Sequence, residues 1–137
     1  MMLHKIMLGL CWLSLFVFEG ASSTNVNQGF QADIAGGQLN TIYGPHSFIG
    51  GGYANVIYSY MGTVTGGRDA EVRGKWAFVG GGIGGSSTEE ALFSVVVGGH
   101  SNVAKAQFAN IVGGLLNTAS GEHGIIGGGE DNIASGA

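Results

Sequence analysis

Residues 111–125 read Ile-Val-Gly-Gly-Leu-Leu-Asn-Thr-Ala-Ser-Gly-Glu-His-Gly-Ile, and the same pattern starts again at Ile126. Working outward from this stretch, Gly-Gly pairs recur along the chain at spacings of 15, 15, 15, 17, 15 and 15 residues. A fixed internal period of this kind is typical of repeat architectures. Aligned on the glycine pairs, the repeats start with Ile or Val at residues 34, 49, 64, 79, 96, 111 and 126.

Each repeat holds two short apolar alternations, and each alternation is followed by a glycine turn. Two short β-stretches joined by tight corners form one coil of a parallel β-solenoid. A helix would lose about 1 kcal/mol for each internal glycine, and a β-sandwich needs longer strands and irregular turn spacing. We therefore predict an all-β, single-domain parallel β-solenoid of about seven 15-residue coils, with the first and ninth positions of each repeat pointing inward.

Asparagine dominates the seventh position of the repeat. Two roles fit it: asparagine tolerates left-handed backbone at a corner, and identical amides stacked about 4.8 Å apart can form a hydrogen-bonded ladder. Both roles are structural, and we prefer them to ligand binding. The residues of this predicted ladder are Asn40, Asn55, Asn102, Asn117 and Asn132.

The fourth repeat is two residues longer than the others and lacks the asparagine. Its residues 84–90 read Gly-Gly-Ser-Ser-Thr-Glu-Glu. We predict that this segment is a bulged corner loop that stands out from the stack of coils.

Residues 1–22 resemble a secretory signal peptide, in which a 13-residue apolar run over 6–18 is followed by small residues. Such a run spans only about 20 Å of a roughly 30 Å hydrocarbon core, so we expect no stable membrane anchor. The single cysteine, Cys11, lies in this run, so the solenoid domain over 23–137 has no disulfide. We expect a secreted, extracellular or cell-surface protein.

Two outward surfaces are candidate contact sites. The fifteenth position is more apolar than a solvated face should be, and an apolar stripe along a solenoid is a natural subunit interface. A shift of one residue would instead place the stripe in the core. The corner at the thirteenth position offers a candidate binding edge, with ordinary packing on a neighbouring chain as the alternative. The interface candidates are Phe48, Phe78, Val95 and Ile125, and the edge candidates are Trp76 and Phe108.

The polar residues do not suggest catalysis. His46 and His123 share a column but lie five coils apart, roughly 24 Å, too far to share a metal. Activated nucleophile motifs are missing, so we expect neither an enzyme nor a cofactor. A formal net charge of −4 has the wrong sign for nucleic-acid binding.

The stretch from Gly114 through Asn117 and Gly121 to Ile126 resembles the head repeats of YadA-like trimeric autotransporter adhesins. The resemblance extends over residues 25–137 and implies a left-handed β-roll that associates as a trimer. The doubled glycine departs from the family pattern, and neither a coiled-coil stalk nor an anchor segment follows in this sequence.

These observations favour a secreted structural or adhesive protein that presents a rigid solenoid to matrix, cell surface or sibling chains. We expect self-association, as a trimer or by end-to-end stacking of coils, unless the chain is a piece of a longer array. The alternative is a protein that binds an ice or mineral surface through a flat, regularly spaced face. The outward eighth position of the repeat is not uniformly threonine, which counts against this alternative. A carbohydrate-active solenoid enzyme is less consistent with the scattered carboxylates.

Overall fold

A computed structural model describes residues 24–136, so the predicted signal peptide lies outside the described residues. Over 24–136 the chain forms fifteen two-residue β-strands and no helix. All strand pairs are parallel, and each residue pairs with its equivalents in the coils before and after it. The predicted parallel β-solenoid of about seven coils is confirmed.

The strands alternate between two sheets. The eight-stranded first sheet contains β1 (Val26–Asn27), β3 (Thr41–Ile42), β5 (Val56–Ile57), β7 (Glu71–Val72), β9 (Ser86–Ser87), β11 (Val103–Ala104), β13 (Thr118–Ala119) and β15 (Ile133–Ala134). The seven-stranded second sheet contains β2 (Asp33–Ile34), β4 (Phe48–Ile49), β6 (Thr63–Val64), β8 (Phe78–Val79), β10 (Val95–Val96), β12 (Asn110–Ile111) and β14 (Ile125–Ile126).

A third ladder of single-residue parallel bridges runs alongside the two sheets. It links the fifth position of each repeat, from Gln38 through Tyr53 and Arg68 to Glu130. Three faces therefore surround the core, and each strand contributes one inward and one outward side chain, as the two-residue alternation requires.

The core is a thin column of branched and small side chains. The first and ninth positions supply Ile49 and Ile57, which are fully buried, along with their equivalents in neighbouring coils. The fourteenth position also points inward and holds only small residues, which are alanine (Ala77, Ala109), serine (Ser47, Ser94) or glycine. Because equivalent residues stack on one another, each buried methyl group packs against its own counterparts above and below.

Left-handed backbone marks two corners of every coil, but not at the residues predicted. The asparagines do not have positive φ; instead, the residue before each asparagine does, for example Leu116 at 57°. A second left-handed corner lies at the thirteenth position, which includes Trp76 at 56°. The asparagine column is thus free to point its amides into the stack.

Glycine is required where coils come closest. Gly52 is the second glycine of its Gly-Gly pair and has a φ of 95°. A Cβ at this position would collide with the carbonyl oxygen of Gly67 in the next coil. Both the conformation and the close approach exclude a side chain, which explains why this column is glycine in every repeat.

The insertion in the fourth repeat is smaller than the predicted loop. Ser86 and Ser87 form β9 and pair in register with β7 and β11, and Ile83 stays in the bridge ladder. The two extra residues are Glu89 and Glu90, after which Ala91 re-enters the core and its amide donates to the carbonyl of Thr88. The prediction that residues 84–87 leave the stack is therefore wrong, because their backbone hydrogen bonds to both neighbours are retained.

Core packing predicts unequal costs for two neighbouring truncations. Ile111 is fully buried, whereas the adjacent Val112 is 54% exposed. We expect Ile111→Ala to lower the free energy of unfolding by about 2–5 kcal/mol, through lost burial and a residual cavity. Chemical denaturation followed by circular dichroism measures this loss. Val112→Ala is the matched control and should change stability by less than about 0.5 kcal/mol; equal losses would contradict the inward assignment of the first position.

Candidate functional site

The asparagines of the seventh position form two hydrogen-bonded ladders, one in the first half of the stack and one in the second half. The Asn55 side-chain amide donates to Asn40 Oδ1 at 3.0 Å, and the Asn55 backbone amide donates to the same oxygen at 3.1 Å. Asn55 Nδ2 also donates to the carbonyls of Gly51 in its own coil and Gly67 in the next. The Asn55 amide therefore holds three consecutive coils in register, which is how this fully buried polar group is satisfied.

The same pattern repeats in the second half of the chain. Asn117 binds Asn102 Oδ1 through both its backbone and its side-chain nitrogen, and Asn132 binds Asn117 in the same way. Between the two ladders the column holds Ala70 and Gly85. Asn25, one repeat before Asn40, accepts the Asn40 backbone amide at 2.9 Å and extends the first ladder.

Truncation of one rung tests the ladder. Asn117→Ala removes the acceptor for Asn132 and takes the side-chain donor away from the carbonyls of Gly113 and Gly129. Since each hydrogen bond contributes about 0.5–1.5 kcal/mol and several are lost together, we expect the free energy of unfolding to fall by about 2–4 kcal/mol. Denaturant titration measures the loss.

Asn110→Ala is the matched control, because Asn110 is half-buried and donates only to the nearby Phe108 carbonyl. We expect it to cost less than about 1 kcal/mol. Equal effects of the two substitutions would show that the ladder contributes no more than a local turn.

The stripe at the fifteenth position lies on the outer face of the second sheet, so it does not belong to the core. Phe48 is 40% and Ile125 is 71% exposed, while Phe78 and Val95 are half-buried. The rings of Phe48 and Phe78 extend toward Gly50 and Gly80, two residues further along each strand. These glycines leave room for the rings, which lie against the sheet.

Trp76 and Phe108 belong to a column of aromatic rings that runs along the corner between the two sheets. Trp76 stacks on Phe93 at 4.7 Å between centroids, Phe93 stacks on Phe108 at 5.4 Å, and Phe108 stacks on His123 at 4.8 Å. The column continues toward the N-terminus through edge-to-face contacts of 5.4–5.9 Å. We call the whole set the aromatic ladder: Phe30, His46, Tyr60, Trp76, Phe93, Phe108 and His123.

From the sequence, Trp76 and Phe108 are edge candidates and His46 and His123 share a column, whereas Phe30, Tyr60 and Phe93 are not predicted to join them. Phe93 lies 17 residues after Trp76 because of the insertion, although counting 15 residues back from Phe108 reaches it. Tyr60 occupies the twelfth position, and its ring reaches the place that Met61 would take in a strict alignment. Membership of the aromatic ladder therefore depends on where each ring lies in space, and the 15-residue spacing alone predicts only some of its members.

Stacking offsets the conformational cost of placing aromatic residues at a left-handed corner. Phe93 has a φ of 55° and makes two stacked contacts, each contributing about 0.5–1.5 kcal/mol beyond buried area. We expect Phe93→Gly to lower the free energy of unfolding by about 1–3 kcal/mol, measured by denaturant titration.

Leu116→Gly is the control, because Leu116 has the same left-handed backbone, is 47% exposed, and is outside the aromatic ladder. Relief of left-handed strain and the greater freedom of glycine in the unfolded chain nearly cancel. We expect a change of less than about 1 kcal/mol, and a loss as large as that of Phe93→Gly would refute the role of stacking.

The outer face of the first sheet is more polar. Tyr43 and Tyr58 stack at 5.2 Å, and the guanidinium of Arg73 lies 4.9 Å from the centroid of Tyr58. Arg73 also pairs with Glu71 in its own coil, and Glu89 of the inserted pair lies 3.9 Å away. The hydrogen bond to Glu71 raises the pKa of Arg73 above its ordinary value.

Over residues 24–136, no group of three or more His, Cys, Asp or Glu side chains is arranged to hold a metal ion. In the same part of the chain, no helix is long and apolar enough to cross a membrane. No protein-family model, curated protein or solved structure matches the chain.

Proposed function

We propose that this chain is a secreted, non-enzymatic structural or adhesive protein whose solenoid presents repeated side-chain columns to a matrix, a cell surface or other copies of itself. The observation that carries the proposal is the in-register pairing of all coils. Residues 15 apart are direct parallel partners in both sheets, apart from the single step of 17. Every outward position thus becomes a straight column with one side chain about every 4.8 Å.

Such columns suit adhesion through multivalency. One exposed corner residue makes a weak contact, but several at fixed spacing on a rigid support bind a repetitive partner together, which raises the overall affinity by orders of magnitude. The two asparagine ladders support the rigidity, because the amides of Asn55 and Asn117 each connect three coils. The resemblance of 114–126 to YadA-like adhesin head repeats supports the adhesive part of the proposal.

Adhesion of coated beads tests this function. The full chain is expressed in a secreting host, recovered from the medium, and coupled to beads at a series of surface densities. We expect the beads to adhere to a surface coated with the same protein or with collagen, and adhesion to rise more steeply than coating density because contacts act together. Albumin-coated beads are the control.

Adhesion no greater than that of albumin beads on both surfaces would contradict the proposal. Failure to recover the chain from the medium would contradict secretion. Mass spectrometry of recovered protein is expected to show the loss of about 22 N-terminal residues, as a cleaved signal peptide requires.

A further inference from the structure

We propose that two copies of this chain pack face to face in antiparallel orientation through one uncharged surface, with Trp76 and Phe78 at its centre. This uncharged surface consists of the thirteenth-position corner, the fifteenth-position stripe and the second position that follows it. The inference rests on the proposed function, since it names the arrangement by which that solenoid associates with itself.

The aromatic ladder and the stripe lie side by side. Trp76 and Phe78 are separated only by Ala77, which is buried, so the two larger side chains flank a residue that points inward. The same relation joins Phe93 to Val95 across the buried Ser94. Across seven strands the surface is about 29 Å long, and from the thirteenth to the second position it is about 13 Å wide.

Exposure along this surface is large for apolar side chains. Trp76 and Phe93 are each 43% exposed, and Val97 and Val112 are 48% and 54% exposed. An aromatic side chain of 150–250 Å² exposed to this extent offers roughly 60–110 Å². The surface as a whole, about 29 Å by 13 Å, covers roughly 380 Å², which is about half of the 800 Å² that each partner contributes to a standard protein interface and corresponds to a weak, reversible contact. It is as large as the most extensive exposed patch of a typical monomer, and such patches are often functional.

The distribution of charge selects the occupant. Among the thirteenth, fifteenth and second positions of the described coils, Asp33 is the one formally charged side chain at neutral pH. The other two faces carry charges, such as Arg73 and Glu71 on the first sheet and Arg68 and Asp69 beside the bridge ladder. A charged partner would lose hydration against the uncharged surface without gaining a counter-ion. A second copy of the same surface brings only one charged side chain at these positions, its own Asp33.

The position of Asp33 decides the orientation. It lies on β2, at one edge of the second sheet, where it is exposed. In a parallel pair, the central stripe of one copy faces the same residues of the other, so the two Asp33 carboxylates would meet and repel. In an antiparallel pair, Asp33 faces the coil of Ile125 and His123 at the opposite edge of the sheet. A histidine near a carboxylate is favourable whenever it is protonated.

The antiparallel arrangement also places the largest rings at the centre. The stripe has three residues on each side of Phe78, so a two-fold axis through this coil sets Phe78 against its own counterpart and Trp76 against its own. Central aromatic residues surrounded by smaller contacts are typical of the energetically dominant part of an interface. An isologous contact of this kind closes at two copies.

Crosslinking between engineered cysteines distinguishes the two orientations. Phe48→Cys and Asn110→Cys are made separately in a Cys11→Ser background, and each variant is treated with a short bismaleimide, alone and as an equimolar mixture. Packed sheets lie about 10 Å apart, which is too far for a disulfide but within reach of this reagent. Antiparallel packing puts position 48 opposite position 110 of the other copy. We expect crosslinked dimers in the mixture and at least fivefold fewer in either variant alone.

Crosslinking of each variant with itself, to the same extent as in the mixture, would indicate parallel packing and overturn the proposal. Light scattering provides the second measurement, with twice the monomer mass as the expected result. A monomeric or a trimeric mass would also overturn it. If the coated beads adhere but the protein is monomeric in solution, the dimer is wrong and the proposed adhesive function stands. If the beads do not adhere and the protein does not associate, both the proposed function and the dimer are wrong.

Phe78→Asp places two carboxylates at the two-fold axis. We expect it to raise the dissociation constant of the dimer more than about tenfold, with an unchanged circular dichroism spectrum. Val103→Asp is the matched control, because Val103 is half-buried on the outer face of the first sheet, and its dissociation constant should not change. If Phe78→Asp unfolds the chain, the crosslinking result decides. Equal weakening by both variants would overturn the choice of face.

Discussion

The in-register stacking of coils is the constraint on which the other features of this protein depend. A two-residue strand contributes little by itself, and an isolated coil cannot bury its apolar side chains. Stacking gives each strand two parallel partners and brings residue i beside residues i−15 and i+15. Backbone hydrogen bonds, apolar contacts and side-chain ladders then form between equivalent positions, so one favourable residue in a column reinforces the next.

Buried asparagine illustrates how stacking makes a costly residue favourable. A primary amide in a dry core normally loses several hydrogen bonds to water. Here Asn40 Oδ1 accepts two hydrogen bonds from Asn55, and Asn40 Nδ2 donates to Gly36 and Gly52. Glycine at the adjoining corner is part of the same arrangement, because it brings the carbonyl of the next coil within reach of the amide. The asparagine and glycine columns therefore depend on each other.

The corners combine conformational cost with packing. Thirteen non-glycine residues have positive φ, and they fall at the sixth and thirteenth positions of the repeat. From Trp76 to His123 the thirteenth position bears aromatic rings, whose stacking offsets the cost of the left-handed backbone. Since Asp33 is the one formally charged side chain among the thirteenth, fifteenth and second positions, this corner and the adjoining sheet form the surface best suited to contact another protein. Structural stacking and the proposed association thus use the same residues.

The order of the coils could be predicted from the sequence because hydrophobic period and glycine spacing are local properties. The first and ninth positions point inward as the alternation requires, with Ile49 and Ile57 fully buried. The sequence also located the extra length in the fourth repeat, but it assigned too many residues to the loop. Ser86 and Ser87 remain in β9 because pairing with both neighbouring strands outweighs their weak strand propensity.

By itself, the sequence determined the period, the fold class and the inward columns, since strand alternation and repeat length leave little freedom in these. Only the tertiary structure decided which side chains meet at the corners. Backbone dihedrals there set the direction of each side chain, so Tyr60 replaces Met61 in the aromatic ladder, and Phe93 joins it despite the insertion. Stacking of neighbouring coils fixes those positions, and no single repeat contains that information.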